Sequence, residues 1–323
     1  MPHSNSQAAL AAAGLSKRFG EFEAVSGVSF EVRRGRAFGL LGPNGSGKTT
    51  IVRLLNGVLS PSAGSVQLFG EALTAESGDR LRGRIGVQTD TSLYETLTVR
   101  ENLKIWGELY GVPAAGLSGR IAELLDVLGL ADRAESLAGT LSKGMRQKVA
   151  VGRAIIHEPE LLFLDEPTAG LDPEASLELI EYLQQMIASL QTTLVICTHQ
   201  LHGLEDLCED AGFLMRGEMV ARGSIAGMIA ERWPGRRVTV ALGEAGPTGA
   251  SAAALVTGAV PGAGARVSPD GSLDLELADD TAVEAAVAGL AAGGAAIRAV
   301  VPVTHTLGDL YFDVIQSQRE HAQ

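Results

Sequence analysis

The sequence predicts an α/β protein: a nucleotide-binding domain on a largely parallel sheet, a helical subdomain inserted into it, and a small α+β domain after it. Three observations predict this. Short unbroken apolar runs, AFGLLG at 37–42, LLFLDE at 161–166 and TLVICT at 193–198, have the pattern of strands buried on both faces. Helical patterns alternate with them. A glycine-rich turn follows the first run, where an α/β sheet places its phosphate-binding loop.

Each element then has its own signal. Asp172 followed by Pro173 is a helix start, and Leu177, Ile180, Leu183 and Ile187 recur behind it at the spacing of one helix face. Between about 98 and 156 strand signals vanish. There Val99, Leu103, Trp106 and Tyr110, then Ile121, Leu124, Leu125 and Leu128, mark amphipathic helices, and a helical subdomain is expected over about 89–156. After about 223 alanine and glycine rise and lysine is absent, the last being Lys148. The expected division is therefore a flexible terminus over 1–9, a nucleotide-binding domain over 10–223 and an accessory α+β domain over 224–323. Within the last, 236–242 reads as a strand, 267–277 as a hairpin about Pro269-Asp270-Gly271, Val283, Val287 and Leu290 as a helix, AIRAVVPV as a strand, and 306–316 as a final helix.

Composition narrows the function. The 323 residues carry 26 Lys plus Arg against 38 Asp plus Glu, a formal charge of −12, which argues against broad electrostatic binding to nucleic acid or anionic lipid. Two cysteines, Cys197 and Cys208, are too few for a disulfide framework and suit reduced thiols in the cytoplasm. No Lys or Arg precedes Lys17, so the basic start of a signal peptide is missing, and the uncharged run 245–265 is broken by Pro247 and Pro261. If the protein works at a membrane, another chain must supply the membrane part.

Gly42-Pro43-Asn44-Gly45-Ser46-Gly47-Lys48-Thr49 matches the phosphate-binding loop pattern and sits between an expected strand and an expected helix. Its glycines let backbone N–H groups converge on phosphates, Lys48 neutralises β and γ oxygens, and the Thr49 hydroxyl suits Mg²⁺. The run at 161–164 ends in Asp165 and Glu166, two carboxylates at the sheet edge where α/β ligands bind. Asp165 suits Mg²⁺ and Glu166 suits the polarisation of an attacking water.

Over residues 10–223 these motifs resemble the ATP-binding subunit of an ABC transporter, a nucleotide-binding domain of the P-loop NTPase fold. Leu141-Ser142-Lys143-Gly144-Met145 stands where that family has its signature sequence. Gln88 resembles the Q-loop glutamine, Asp172 lies in a D-loop-like segment, His199 resembles the switch histidine, and Phe19 stands where an aromatic ring stacks on adenine. The resemblance implies ATP and Mg²⁺ as ligands. It places Thr50 with the loop residues as an ATP contact, Thr49, Gln88 and Asp165 around the metal, and Glu166, Lys48 and His199 in catalysis. It further implies a head-to-tail pair of such domains, identical or related, in which Ser142 and Gly144 of one chain meet the γ-phosphate held by the other. The chain would sit on the cytoplasmic face of a membrane, beneath a separate transmembrane permease subunit.

Lys143 and Met145 depart from the commonest signature, losing a glutamine hydrogen bond across the dimer. The LSKGM form and the segment Thr306-Leu307-Gly308-Asp309-Leu310-Tyr311-Phe312 resemble exporters of drugs, antibiotics and sodium. Two other readings compete: a soluble ABC ATPase acting on ribosomes or DNA, and an import ATPase with a regulatory C-terminal domain. The first usually resembles two domains in one chain or a coiled-coil insertion, and this chain has neither. Cys197, His199, His202 and Cys208 have zinc-ligand types, but strand-end and helix positions suit a buried thiol and a phosphate contact better. Arg232, Arg236 and Arg237 read as a solvated basic surface.

Overall fold

The structure is a computed structural model that describes residues 8–199 and 205–320. The chain packs as two units: one runs to Ile225 and takes in the chain again from Tyr311, and the other is Ala226–Leu310.

In the first unit, two long strands, β1 (Ala8–Phe19) and β2 (Phe22–Arg33), form an antiparallel hairpin joined at Phe19 and Phe22. With β4 (Ala63–Leu68) and β5 (Glu71–Ala72) they make a four-stranded sheet in the order β2-β1-β4-β5. The second sheet contains β3 (Ala37–Leu41), β6 (Ile85–Gln88), β7 (Leu161–Asp165), β8 (Thr193–Thr198), β9 (Asp210–Met215) and β10 (Glu218–Ser224), in the order β10-β9-β3-β8-β7-β6. All its neighbours are parallel except β10 on β9. Every residue of β3 and β8 is buried, which explains their unbroken apolar runs. Leu40, Ile51, Val52, Phe163 and Val195 join residues of the β1–β2 hairpin in one core.

Helix α1 (Lys48–Leu55) leaves the glycine-rich loop, and α2 (Gly78–Arg82) precedes β6. The helical segment comprises α3 (Val99–Leu109), α4 (Ala114–Val127) and α5 (Lys143–Ile155). Thr98 and Glu101 form a reciprocal capping box on α3, and the Ser142 hydroxyl accepts from Met145 N at 3.3 Å to start α5. Helix α6 (Pro173–Leu190) is capped by Asp172, whose Oδ1 accepts from Ala175 N at 2.8 Å. Its buried face is Ala175, Leu179, Ile180, Tyr182, Leu183 and Met186. The face expected from the sequence needs correcting here: Leu177 is 50% exposed, because the helix turns its apolar stripe one position away from it. No helix among the described residues is long and apolar enough to cross a membrane.

The second unit opens on α7 (Ile225–Arg232), whose first residue groups with the first unit, and continues through β11 (Arg236–Leu242), α8 (Gly249–Ala259), β12 (Gly264–Val267), β13 (Leu273–Leu277), α9 (Asp280–Ala292) and β14 (Ile297–Val303). The sheet is fully antiparallel in the order β12-β13-β11-β14, the ferredoxin-like βαββαβ arrangement. Val238, Val240, Leu273, Leu275 and Leu277 pack against Ala252 and Val256 of α8 and Ala286 and Leu290 of α9. Helix α10 (Leu307–Glu320) passes from this unit back into the first, where Tyr311 lies 6.3 Å from Phe213, centroid to centroid.

Candidate functional site

The loop between β3 and α1 is held from behind. Gly217, in the β9–β10 turn, donates to Ser46 O at 2.9 Å and accepts from Ser26 N at 2.9 Å. Gly47 precedes α1 at φ 108, where a Cβ would stand 2.7 Å from Ala24 O, so only glycine fits. The start of α1 that follows lines a cleft of about 380 Å³.

That cleft is lined by Asn44, Gly45, Gly47, Lys48, Thr49 and Thr50 of the loop and helix, by Asp165 and Glu166 at the end of β7, by Thr89 after β6, and by Phe22 and Ala24 of β2. Lys48 is buried, and its ammonium donates to Gly42 O at 2.6 Å and Pro43 O at 3.1 Å. Thr49 Oγ1 donates to Asp165 Oδ2 at 2.8 Å. Burial pushes the Asp165 carboxyl above its ordinary pKa, partly offset by that hydrogen bond. A divalent cation would relieve the cost by holding the group ionised. Gln88 ends β6 at 1% exposure, and its Oε1 is buried with no hydrogen-bond partner among the described residues. A hydroxyl, a carboxylate raised by burial and an orphaned amide oxygen are hard oxygen donors of the kind Mg²⁺ takes, so the residues present fit that ion.

Glu166 is the most constrained side chain of the site. Its backbone lies at φ 52, left-handed and unfavourable for a residue with a Cβ. Its N–H donates to Cys197 O at 2.8 Å. Its Oε2 accepts from Thr198 Oγ1 at 2.7 Å, and Oε1 accepts from His199 N at 3.0 Å and lies 2.6 Å from His199 Nδ1. From α5, the buried Gln147 amide donates to Glu166 O at 2.9 Å and Pro167 O at 3.0 Å. The Tyr311 phenol is pushed up first by burial and then by the negative charge of Glu166. The carboxylate is thus held at one edge of the phosphate cleft by Thr198 and His199, and α5 holds the backbone beneath it through Gln147.

The expected site residues fall into two groups. Lys48, Thr49, Thr50, Asp165 and Glu166 share the cleft, with His199 bonded to Glu166 and Gln88 next to the lining Thr89. Leu141, Ser142, Lys143, Gly144 and Met145 do not line it. They form the start of α5, where a Cβ on Gly144 would lie 2.9 Å from Gly170 O. Asp172 serves as the α6 cap. Phe19 is 48% exposed with the Lys17 ammonium 5.3 Å from its ring centroid, whereas Phe22, across the hairpin turn, reaches the cleft. Cys197 and Cys208 are buried, burial pushing the Cys208 thiol up to about 12, and His202 lies outside the described residues.

Sequence reasoning missed Gln147, Thr198, Phe22 and Gly217. Only Gln147 carried a signal, being the residue that closes the run LSKGMRQ.

A family model described as ABC transporter matches residues 25–169. Nod factor export ATP-binding protein I of Ralstonia nicotianae is 44% identical over 216 residues, 66% of each chain. Linearmycin resistance ATP-binding protein LnrL of Bacillus subtilis is 36% identical, covering 67% of this chain and 69% of its own. Daunorubicin resistance ATP-binding protein DrrA3 of Streptomyces coeruleorubidus is 37% identical, covering 75% and 76%. The chain thus spans about two thirds to three quarters of these relatives. Among solved structures, an ATP-binding subunit of an ABC transporter superposes with a TM-score of 0.64 at 31% identity, covering 69% of this chain and 92% of that one. With its phosphate loop, paired carboxylates and buttressed glutamate, the chain belongs to the ATP-binding subunits of ABC transporters and is an ATPase of that family.

Proposed function

We propose that this chain hydrolyses ATP to drive export through a separate transmembrane subunit, working as a head-to-tail pair on the cytoplasmic face of the membrane. The observation that carries this is the separation of two half-sites. The phosphate loop, Asp165 and Glu166 form one cleft, while Ser142 and the N-terminus of α5 stand apart from it. A helix N-terminus capped by serine is a favourable anion site, and a second copy would bring its own to the first copy's γ-phosphate. The names of the export and resistance relatives support the direction of transport.

In this reading Lys48 exchanges its two loop carbonyls for β and γ oxygens, and the loop N–H groups orient the chain of phosphates. Thr49, Asp165 and Gln88 would hold Mg²⁺, which when bound supplies polarisation of the phosphate oxygens. Glu166 takes a proton from the attacking water as that oxygen bonds to the γ-phosphorus. The bond from the γ-phosphorus to the β–γ bridging oxygen breaks, and ADP leaves with that oxygen. His199 and Thr198 keep the Glu166 carboxylate aimed while this happens.

A groove of about 580 Å³ supports the membrane partner. It opens beside the segment that follows Gln88 and is lined by Val58, Val87, Trp106, Leu109 and Tyr110 among others. Leu109 is 70% exposed and Val58 66%. A groove next to the cleft that sets exposed apolar side chains among charged ones such as Arg53, Arg82 and Asp90 suits an amphipathic helix supplied by a permease.

The test is Glu166→Gln. Hydrolysis should fall at least about a hundredfold with nucleotide affinity retained, and the tagged variant purified from detergent-solubilised membranes with ATP should carry a polytopic membrane protein. Hydrolysis near the wild-type rate would remove Glu166 as the base. Ribosomal or DNA-repair proteins as the sole partners would overturn the transporter reading.

A further inference from the structure

One buried cation ties the groove, the segment after Gln88 and the signature helix together. Arg153 lies in the last turn of α5, the helix that Ser142 begins, and is 9% exposed. Its Nη1 donates to Ser92 O at 2.6 Å, and its Nη2 stands 3.5 Å from Asp90 Oδ1. Asp90 Oδ1 in turn accepts from Ser92 N at 2.9 Å, so the guanidinium clamps a closed turn two residues beyond Gln88. The central carbon of the same group lies over the Trp106 ring of α3, 4.7 Å from its centroid. Arg153, Asp90 and Trp106 all line the 580 Å³ groove.

We infer that Arg153 is a positioning residue that makes these three parts move together, so that γ-phosphate contact at Gln88 is felt at Trp106 in the groove, and occupation of the groove is felt at Ser142. The inference rests on the ATPase reading of the cleft. Its chemistry requires arginine. A planar fork donates to Ser92 and Asp90 while its carbon stands over an indole, whereas a lysine ammonium, with donors for both oxygens, is a compact, strongly hydrated charge with no delocalised plane to set against the ring. Asp90 and Ser92 are exposed, so water can take over their hydrogen bonds in a variant but cannot hold the turn and the indole together as the buried guanidinium does. Because coupling is reciprocal, a groove that reads the nucleotide also controls how readily the signature end of α5 is presented.

The chain has two tryptophans, so a Trp233→Phe background leaves Trp106 as the sole indole. In that background Trp106 emission is followed while a non-hydrolysable ATP analogue with Mg²⁺ is titrated, and binding is followed separately with a fluorescent nucleotide. The expected result is a saturable Trp106 change in the parent chain that is lost in Arg153→Ala and Arg153→Lys, with nucleotide affinity within about threefold of the parent. Thermal melts identify a variant that fails to fold, and Arg153→Lys keeps the test open if Arg153→Ala does. A full Trp106 response in a folded variant overturns the inference, as does binding without any Trp106 change in the parent. Absence of binding in the parent instead overturns the ATPase reading, and the inference with it.

Discussion

Acid should loosen the first unit through His157, whose imidazole stacks on Tyr110 with centroids 3.8 Å apart and planes within 6°. Its Nε2 lies 3.1 Å from Ile85 O, which fits the neutral tautomer donating from Nε2, and its Nδ1 is buried with no partner among the described residues. Burial holds the pKa down to about 4 against the ordinary 6.5, with the positive charge of Arg120 adding to the effect. A second proton would sit on a buried nitrogen that no described residue accepts from. The folded-state pKa is below the unfolded one, so the contribution to stability is fully present above pH 6.5 and is lost as pH falls from 6.5 toward 4. Linkage makes the loss about 1.4 kcal/mol at pH 5.5 and about 3 kcal/mol at pH 4. In a Trp233→Phe background, guanidinium denaturation followed by Trp106 emission at pH 7.5 and 5.5 measures it. His157→Phe keeps the stack and removes the titration, so its drop between the two pH values should be smaller than the parent's by about 1.4 kcal/mol. Equal drops in both chains would refute the assignment.

Other substitutions test the two half-sites. Lys48→Ala removes the buried cation of the phosphate loop and should weaken nucleotide binding by at least about tenfold in a fluorescent-nucleotide titration; unchanged affinity would remove Lys48 from the phosphate site. Ser142→Arg deletes the α5 cap, costing about 1 kcal/mol of stability, and puts bulk and charge where a second copy would bring its γ-phosphate. Combined with Glu166→Gln it should stay monomeric with ATP in light scattering, and a persistent ATP-dependent dimer would defeat the head-to-tail arrangement. Gly144→Ala places a methyl 2.9 Å from Gly170 O, so the start of α5 must shift. Hydrolysis should fall about 10- to 100-fold with nucleotide binding kept, whereas wild-type turnover would show that the packing of α5 on Gly170 is irrelevant to rate.

What could be read in advance followed from local chemistry. The glycine-rich loop announces itself because backbone N–H convergence needs glycines at fixed spacing, and buried parallel strands announce themselves as unbroken apolar runs. Contacts created by packing left no such mark. Gln147 reads as one more polar helix residue until α5 meets the end of β7 and its amide reaches Glu166 O and Pro167 O. Phe19 and Phe22 flank one tight turn, and the resemblance selected Phe19, although the hairpin turns Phe22 to the cleft. Helix α8 went unread because eight of its eleven residues are alanine, glycine or serine, giving little contrast between faces. Gly217 matters only because the β9–β10 turn comes to rest against Ser46.

The path of the chain bears on how the protein is made. Ribosomes release residues in order, and the Ala226–Leu310 unit is finished before Tyr311 emerges to join Phe213 in the unit that began first. Throughout that interval Phe213 lacks its aromatic neighbour, and the unit carrying the phosphate loop is one helix short. A chain stalled or cut within 226–310 therefore leaves both units incomplete.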